Sequence, residues 1–205
     1  MKTLIALTLG AALSAPALAD HNMINGMDFG PLAKLVGTWK SVDAGGVDIA
    51  PGQEASAVGQ GGPAVTPFYE VMTFEVAADA TNASDQYLVA LYYKQEVFRK
   101  ADHSKFHDQR GYLIYDQENQ MVYNSFCVPR TTCVTAEGAA GDTMTLTAAK
   151  RGIAESEYMT DNATTTDFTM NLSISEQQLT YSQTTTLDIY GRPFAHTDSS
   201  TLVKQ

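Results

Sequence analysis

VGTWKS, residues 36–41, holds the chain's single tryptophan, Trp39, two residues after Gly37. Immediately before it, Pro31 to Leu35 reads as a short helical turn, and from Gly37 the chain becomes extended. A bulky apolar ring at the head of a first strand suits the closed end of a small β-barrel, where it plugs the bore. The nearby glycine lets the backbone pass the ring closely. A core tryptophan beside a turn glycine is the plainer reading of the same letters, so the rest of the chain has to decide.

The rest is β-rich. PFYEVMTFEVA (67–77) alternates two faces, QYLVALYYKQEVF (86–98) is dense in β-formers, and DFTMNLSI (167–174) carries Phe168, Met170, Leu172 and Ile174 at period two. These are strand signatures, the last of a half-buried antiparallel strand. QLTYSQTTTLDIY (178–190) follows, rich in Thr and Tyr, and turn signals such as ADHS, DQEN, AAGD, SEQQ and YGRP separate the runs. About ten strands with little helix result. Residues 43–67, dominated by Gly, Ala, Pro and Ser, read as a long loop. Many closely connected strands in one domain must hide their edges, and closure does so. The expectation is an all-β fold: one closed, antiparallel, up-and-down barrel of lipocalin or fatty-acid-binding type, with a bore wide enough for a small ligand.

The N-terminus has another purpose. MKTLIALTLGAALSAPALA, residues 1–19, combines Lys2, an apolar run from Leu4 to Leu13 and the small-residue end Ala17-Leu18-Ala19. That is the pattern of a secretory signal peptide, with a run too short to span a bilayer. It implies export to the periplasm or beyond, a flexible N-terminus over residues 20–30, and a barrel domain over 31–205. Removing Lys2 takes the formal net charge from −10 to −11. An acidic surface disfavours nucleic acid and anionic membranes as partners. The composition does not address oligomeric state.

Cys127 and Cys133 lie in FCVPRTTCV. In one continuous strand they stand ~20 Å apart, beyond bridging reach; if the chain folds back at VPRTT, a disulfide forms. Export permits the bridge, and both readings stay open. A zinc site on these cysteines is not expected, since neither a second cysteine pair nor a histidine lies nearby. Nucleophile-elbow, phosphate-loop and His-Glu-x-x-His motifs do not occur.

Several phrases together resemble the nitrobindin family and its exported bacterial branch of haem-binding, fatty-acid-binding-like barrels. They are Gly37-Thr38-Trp39, then His107 with Gly111 and Tyr112, then Thr184-Thr185-Thr186 with His196, within the phrase TTTLDIYGRPFAHTD. The likeness runs from about Pro31 to Leu202. It implies a ten-stranded barrel holding haem b, with His196 as the proximal iron ligand and His107 on the distal side. It also implies possible chemistry on nitric oxide or peroxynitrite. The chain departs from the family pattern in carrying Ser41 and Asp43 where the opening motif continues with glycines. Nine residues, LDIYGRPFA, also separate the threonine run from His196.

Apart from the resemblance, His196 stands in RPFAHTD, where Thr197 and Asp198 can orient its ring. His107 opens KFHDQRGYLIY (105–115). Both faces of that strand mix polar and apolar residues, so alternation does not choose the inward one. Tyr92, Tyr93, Gln95, Arg130 and Thr185 are further candidates to line a bore, and His21 and His103 are not assigned a role. A metal-free exported carrier of an apolar small molecule is the competing function.

Overall fold

Alternation across strands organises residues 22–205, the part of the chain that the computed structural model describes. The leader-like segment 1–19 and His21 lie outside the described residues. In chain order the strands are β1 (Met23–Ile24), β2 (Met27–Asp28), β3 (Gly37–Ser41), β4 (Gly46–Pro51), β5 (Pro63–Val76), β6 (Ala80–Asn82) and β7 (Gln86–Arg99). They continue as β8 (Lys105–Asp116), β9 (Met121–Val128), β10 (Thr132–Ala139), β11 (Thr143–Glu155), β12 (Ala163–Ile174), β13 (Gln178–Ile189) and β14 (Arg192–Lys204). A 3-10 helix over Gly30–Leu35 precedes β3, and α1 (Glu157–Asn162), capped by the Ser156 hydroxyl, joins β11 to β12. No helix among the described residues is long and apolar enough to cross a membrane.

Strands β7 to β14 each pair with the next, antiparallel, and β5 pairs with β7. The last gap, between β5 and β14, is filled by two short strands. β3 pairs with both neighbours at one end of the seam, and β4 does so nearer the other. The result is a closed ten-strand up-and-down barrel. β6 adds to the free start of β7, and β1 and β2 form a small ribbon.

Two sequence expectations change. Residues 43–67 are not one long loop: they contain β4 and the first part of β5, and the non-strand residues are a short turn over 43–45 and the segment 52–62. Glycine and alanine hide the strand because its backbone, rather than its side chains, holds it, with ladders on both sides. Gly46 is also needed there, since a Cβ would meet the Phe68 ring at 2.3 Å and the Ser199 carbonyl oxygen at 2.6 Å. Residues 22–30 are not a loose tail. Asn25 and Gly26 both take positive φ in the β1–β2 turn, as a tight hairpin requires, and Phe29 is fully buried.

Trp39 sits at the closed end as the opening motif suggests. Its ring is fully buried with Phe29, Leu32 and Leu35, and its Nε1 donates to the Leu35 carbonyl oxygen at 2.7 Å. Gly37 adopts φ +127°, a backbone that other residues resist. At the opposite end, the turn after β9 folds the chain back so that Cys127 and Cys133 are cross-strand partners with bonded sulfurs.

The barrel plug sets the first prediction. Trp39→Ala is expected to cost about 3–5 kcal/mol of stability, read by denaturant unfolding. A variant that unfolds at the parent's midpoint overturns the plug.

Candidate functional site

The bore holds a cavity of about 580 Å³ at the end away from Trp39. Strand pleat decides which residues face it. On β8 the His107, Gln109, Gly111, Leu113, Tyr115 face turns inward, while Asp108 and Arg110 pair with each other outside. β8 carries a bulge at Phe106: Lys105 and His107 pair with the adjacent Phe98 and Val97 of β7, which leaves Phe106 as the extra residue, and it lines the cavity alongside His107. Gly111 is required by the close approach of β9: a Cβ would meet the Ser125 carbonyl oxygen at 2.3 Å.

On β14 the inward positions include His196 and Asp198, and on β13 they include Tyr181, Gln183 and Thr185. Thr184 and Thr186 therefore turn away. The nine residues before His196 form the end of β13, a hairpin turn at Tyr190-Gly191 with positive φ at both, and the start of β14. The hairpin brings His196 back opposite Thr185, so the extra length returns the ring to the bore.

β4 supplies a residue that the sequence reading missed. Asp48 faces inward as the register partner of Asp198, and its Oδ1 accepts a hydrogen bond from His196 Nε2 at 2.6 Å. Asp198 Oδ1 lies 3.9 Å from the same nitrogen, and its Oδ2 accepts from Gln183 Nε2 at 2.9 Å. Burial opposes charge on His196, but the Asp48 hydrogen bond and the two carboxylates outweigh it and raise its pKa. His196 Nδ1 is buried without a partner. His107 differs: burial lowers its pKa, with His196 and Arg130 adding to the effect, so it stays neutral at neutral pH, and its Nε2 has no partner either.

The remaining candidates divide. Gln95, Thr185 and Arg130 line the cavity, Arg130 from the turn between β9 and β10. Tyr93 faces the bore, but its hydroxyl is engaged below the cavity, accepting from Gln109 Nε2 at 2.6 Å and donating to Asn124 Oδ1 at 3.0 Å. Tyr92 is on the outer face, edge-on to Tyr112, because it alternates with Tyr93. His103 lies at the tip between β7 and β8, against Tyr69 and outside the cavity.

Glu70 of β5 lies beneath the cavity floor. Gln95 Nε2 donates to its Oε2 at 2.6 Å, and the Tyr181 hydroxyl donates to the same oxygen at 3.2 Å. Burial pushes its pKa up to about 7, although the Gln95 and Tyr181 hydrogen bonds pull the other way. The folded chain thus holds this proton more tightly than the unfolded chain does. The resulting stabilisation is complete below the ordinary value of 4.5 and is lost as pH rises through about 7. Glu70→Gln stays neutral at every pH. Its Tm relative to the parent is expected to climb between about pH 5 and pH 8, by the equivalent of about 3 kcal/mol. A pH-independent difference gives Glu70 an ordinary carboxylate pKa.

The comparisons agree with this geometry. Residues 28–204 match the family described as "THAP4-like, heme-binding beta-barrel domain". Among solved structures, that of Rv2717c from M. tuberculosis superposes with a TM-score of 0.59 at 18% identity, covering 85% of this chain and 94% of that one. At that identity the likeness shows the fold alone. No curated protein is close enough in sequence to count as a match. The haem-binding barrel resemblance carried by Gly37-Thr38-Trp39, His107 and the TTTLDIYGRPFAHTD phrase therefore holds, and the chain belongs to the THAP4-like haem-binding β-barrel domain family.

Proposed function

We propose that the cavity binds haem b, with His196 bonding the iron and His107 facing the bound group from β8. The observation that carries this reading is the state of His196: one ring nitrogen is held by Asp48 and the other has no partner. An iron-bonding imidazole needs a free nitrogen. A carboxylate on the other nitrogen fixes the tautomer and raises basicity. The donor set fits, and a 580 Å³ cavity falls within the ordinary range of ligand pockets, roughly 300–1,000 Å³.

Haem, when bound, supplies the gas-binding and redox centre. The chain's own residues position and insulate it. Phe68, Val97, Phe126 and Phe168 provide apolar walls. Neutral His107 and the Gln109 amide supply polar groups, and Arg130 supplies positive charge, for a small polar or anionic ligand. The nitrobindin resemblance and this lining support nitric oxide and peroxynitrite as the ligands, with isomerisation of peroxynitrite to nitrate as the turnover. The leader-like residues 1–19 and the Cys127–Cys133 bridge both suit an exported protein in an oxidising compartment.

Haem titration of the parent, His196→Ala and His107→Ala, followed by visible absorbance, tests the reading. The parent and His107→Ala are expected to develop a Soret band, His196→Ala to lose it, and the parent's band to shift with nitric oxide. Loss confined to His107→Ala reverses the two roles. Equal Soret bands in all three chains remove His196 as the iron ligand, and no band in any of them favours a metal-free carrier of apolar small molecules.

A further inference from the structure

We propose that Asp48, His196 and Asp198 form a binding site for a divalent first-row transition cation. The site does not rest on the haem reading. It begins with an electrostatic conflict: Asp48 and Asp198 are direct cross-strand partners on the inward face, an arrangement in which like charges repel. His196, two residues before Asp198 on the same face, stands between them. One donor atom from each of the three residues can be chosen so that all lie within 4.8 Å of one another.

Chemistry narrows what fits. One imidazole nitrogen and two carboxylate oxygens form a borderline-hard donor set, suited to zinc, cobalt, manganese or ferrous iron. His196 Nε2 points at both carboxylates, so it is the ligating nitrogen. A cation takes the place of the proton now held between His196 and Asp48. Their 2.6 Å separation then opens to about 3.3 Å, the spacing of ligands bound tetrahedrally at about 2.0–2.1 Å. Asp48 is only 5% exposed, so water screens this pair poorly.

A second observation points to a ligand in the same cavity. Thr132 and Gln109 are among the residues that line it, each is only 2% exposed, and Thr132 Oγ1 and Gln109 Oε1 are buried without a hydrogen-bond partner. Native folds rarely leave such groups unpaired. Three protein ligands leave coordination positions for water or a small anion. The assignment is therefore an open site, of the kind that activates a bound molecule rather than one that props up the fold.

The experiment uses untagged, haem-free protein titrated with Co²⁺ and read by its visible d–d absorbance, with haem uptake measured in parallel. The parent is expected to bind one equivalent. Asp48→Asn and Asp198→Asn are expected to weaken binding at least tenfold, and His107→Ala to leave it unchanged. Thermal unfolding of each variant establishes that it is folded. Asp198→Asn is expected to retain the Soret band, which separates the two readings. A parent that takes up haem but no Co²⁺ overturns the cation site alone. Co²⁺ binding without a Soret band overturns the haem reading alone. Equal Co²⁺ affinity in the parent and a folded Asp198→Asn variant removes Asp198 from the site and overturns the three-residue proposal.

Discussion

The seam between β5 and β14 is the constraint on which the rest depends. Nine strands leave the barrel one stave short, and β3 and β4 complete it in two pieces. Without them the facing edges of β5 and β14 expose unpaired backbone groups, which barrels exist to avoid. The two pieces also differentiate the ends of the molecule. β3 carries Trp39 into the closed end, and β4 carries Asp48 to the cavity. Because side chains alternate strictly, the register that closes the barrel is also the register that sets Asp48 against Asp198.

The bore is graded from apolar to polar along its length. Around Trp39 it is filled by residues such as Leu32, Leu35, Leu91 and Leu202, which leave no room for a ligand. A middle layer is polar but mostly satisfied, with Glu70 bonded to Gln95 and Tyr181, and Tyr93 bonded to Gln109 and Asn124. These hydrogen bonds offset the cost of burying polar groups. The cavity end is polar and incompletely satisfied: His107, Gln109, Thr132 and His196 each keep a buried atom without a partner. Among the described residues four of the seven such atoms belong to residues lining this cavity, the others being on Glu70, Thr165 and Ser200, and a bound partner gives the four a role that stability alone does not.

Haem and cation readings make different uses of the same ring. In the first, Asp48 orients His196 and the unsatisfied nitrogen is the donor. In the second, Asp48 and Asp198 are donors themselves and Nε2 joins them. Both depend on Asp48, which β4 brings to His196, and only the second needs Asp198 as well.

The sequence by itself determined the strand-rich class, the closed barrel and the plug at Trp39, and through the family phrases it made His107 and His196 candidates for the bore. Each of these follows from local period, turn chemistry or a phrase contiguous in the chain. It did not identify β4, because the six residues Gly46 to Pro51 carry only Val47 and Ile49 as strand formers, lie in a Gly-, Ala- and Pro-rich stretch, and are held by backbone ladders on both sides. Asp48 was hidden with it. Nor did alternation settle β8, where both faces mix polar and apolar residues and only the bulge and the packing of β9 over Gly111 choose the inward one. Tyr92 and Tyr93 were equal candidates until the pleat separated them. The tertiary structure alone decided that His196 meets Asp48, 148 residues away, because that contact is made by barrel closure and by no local segment.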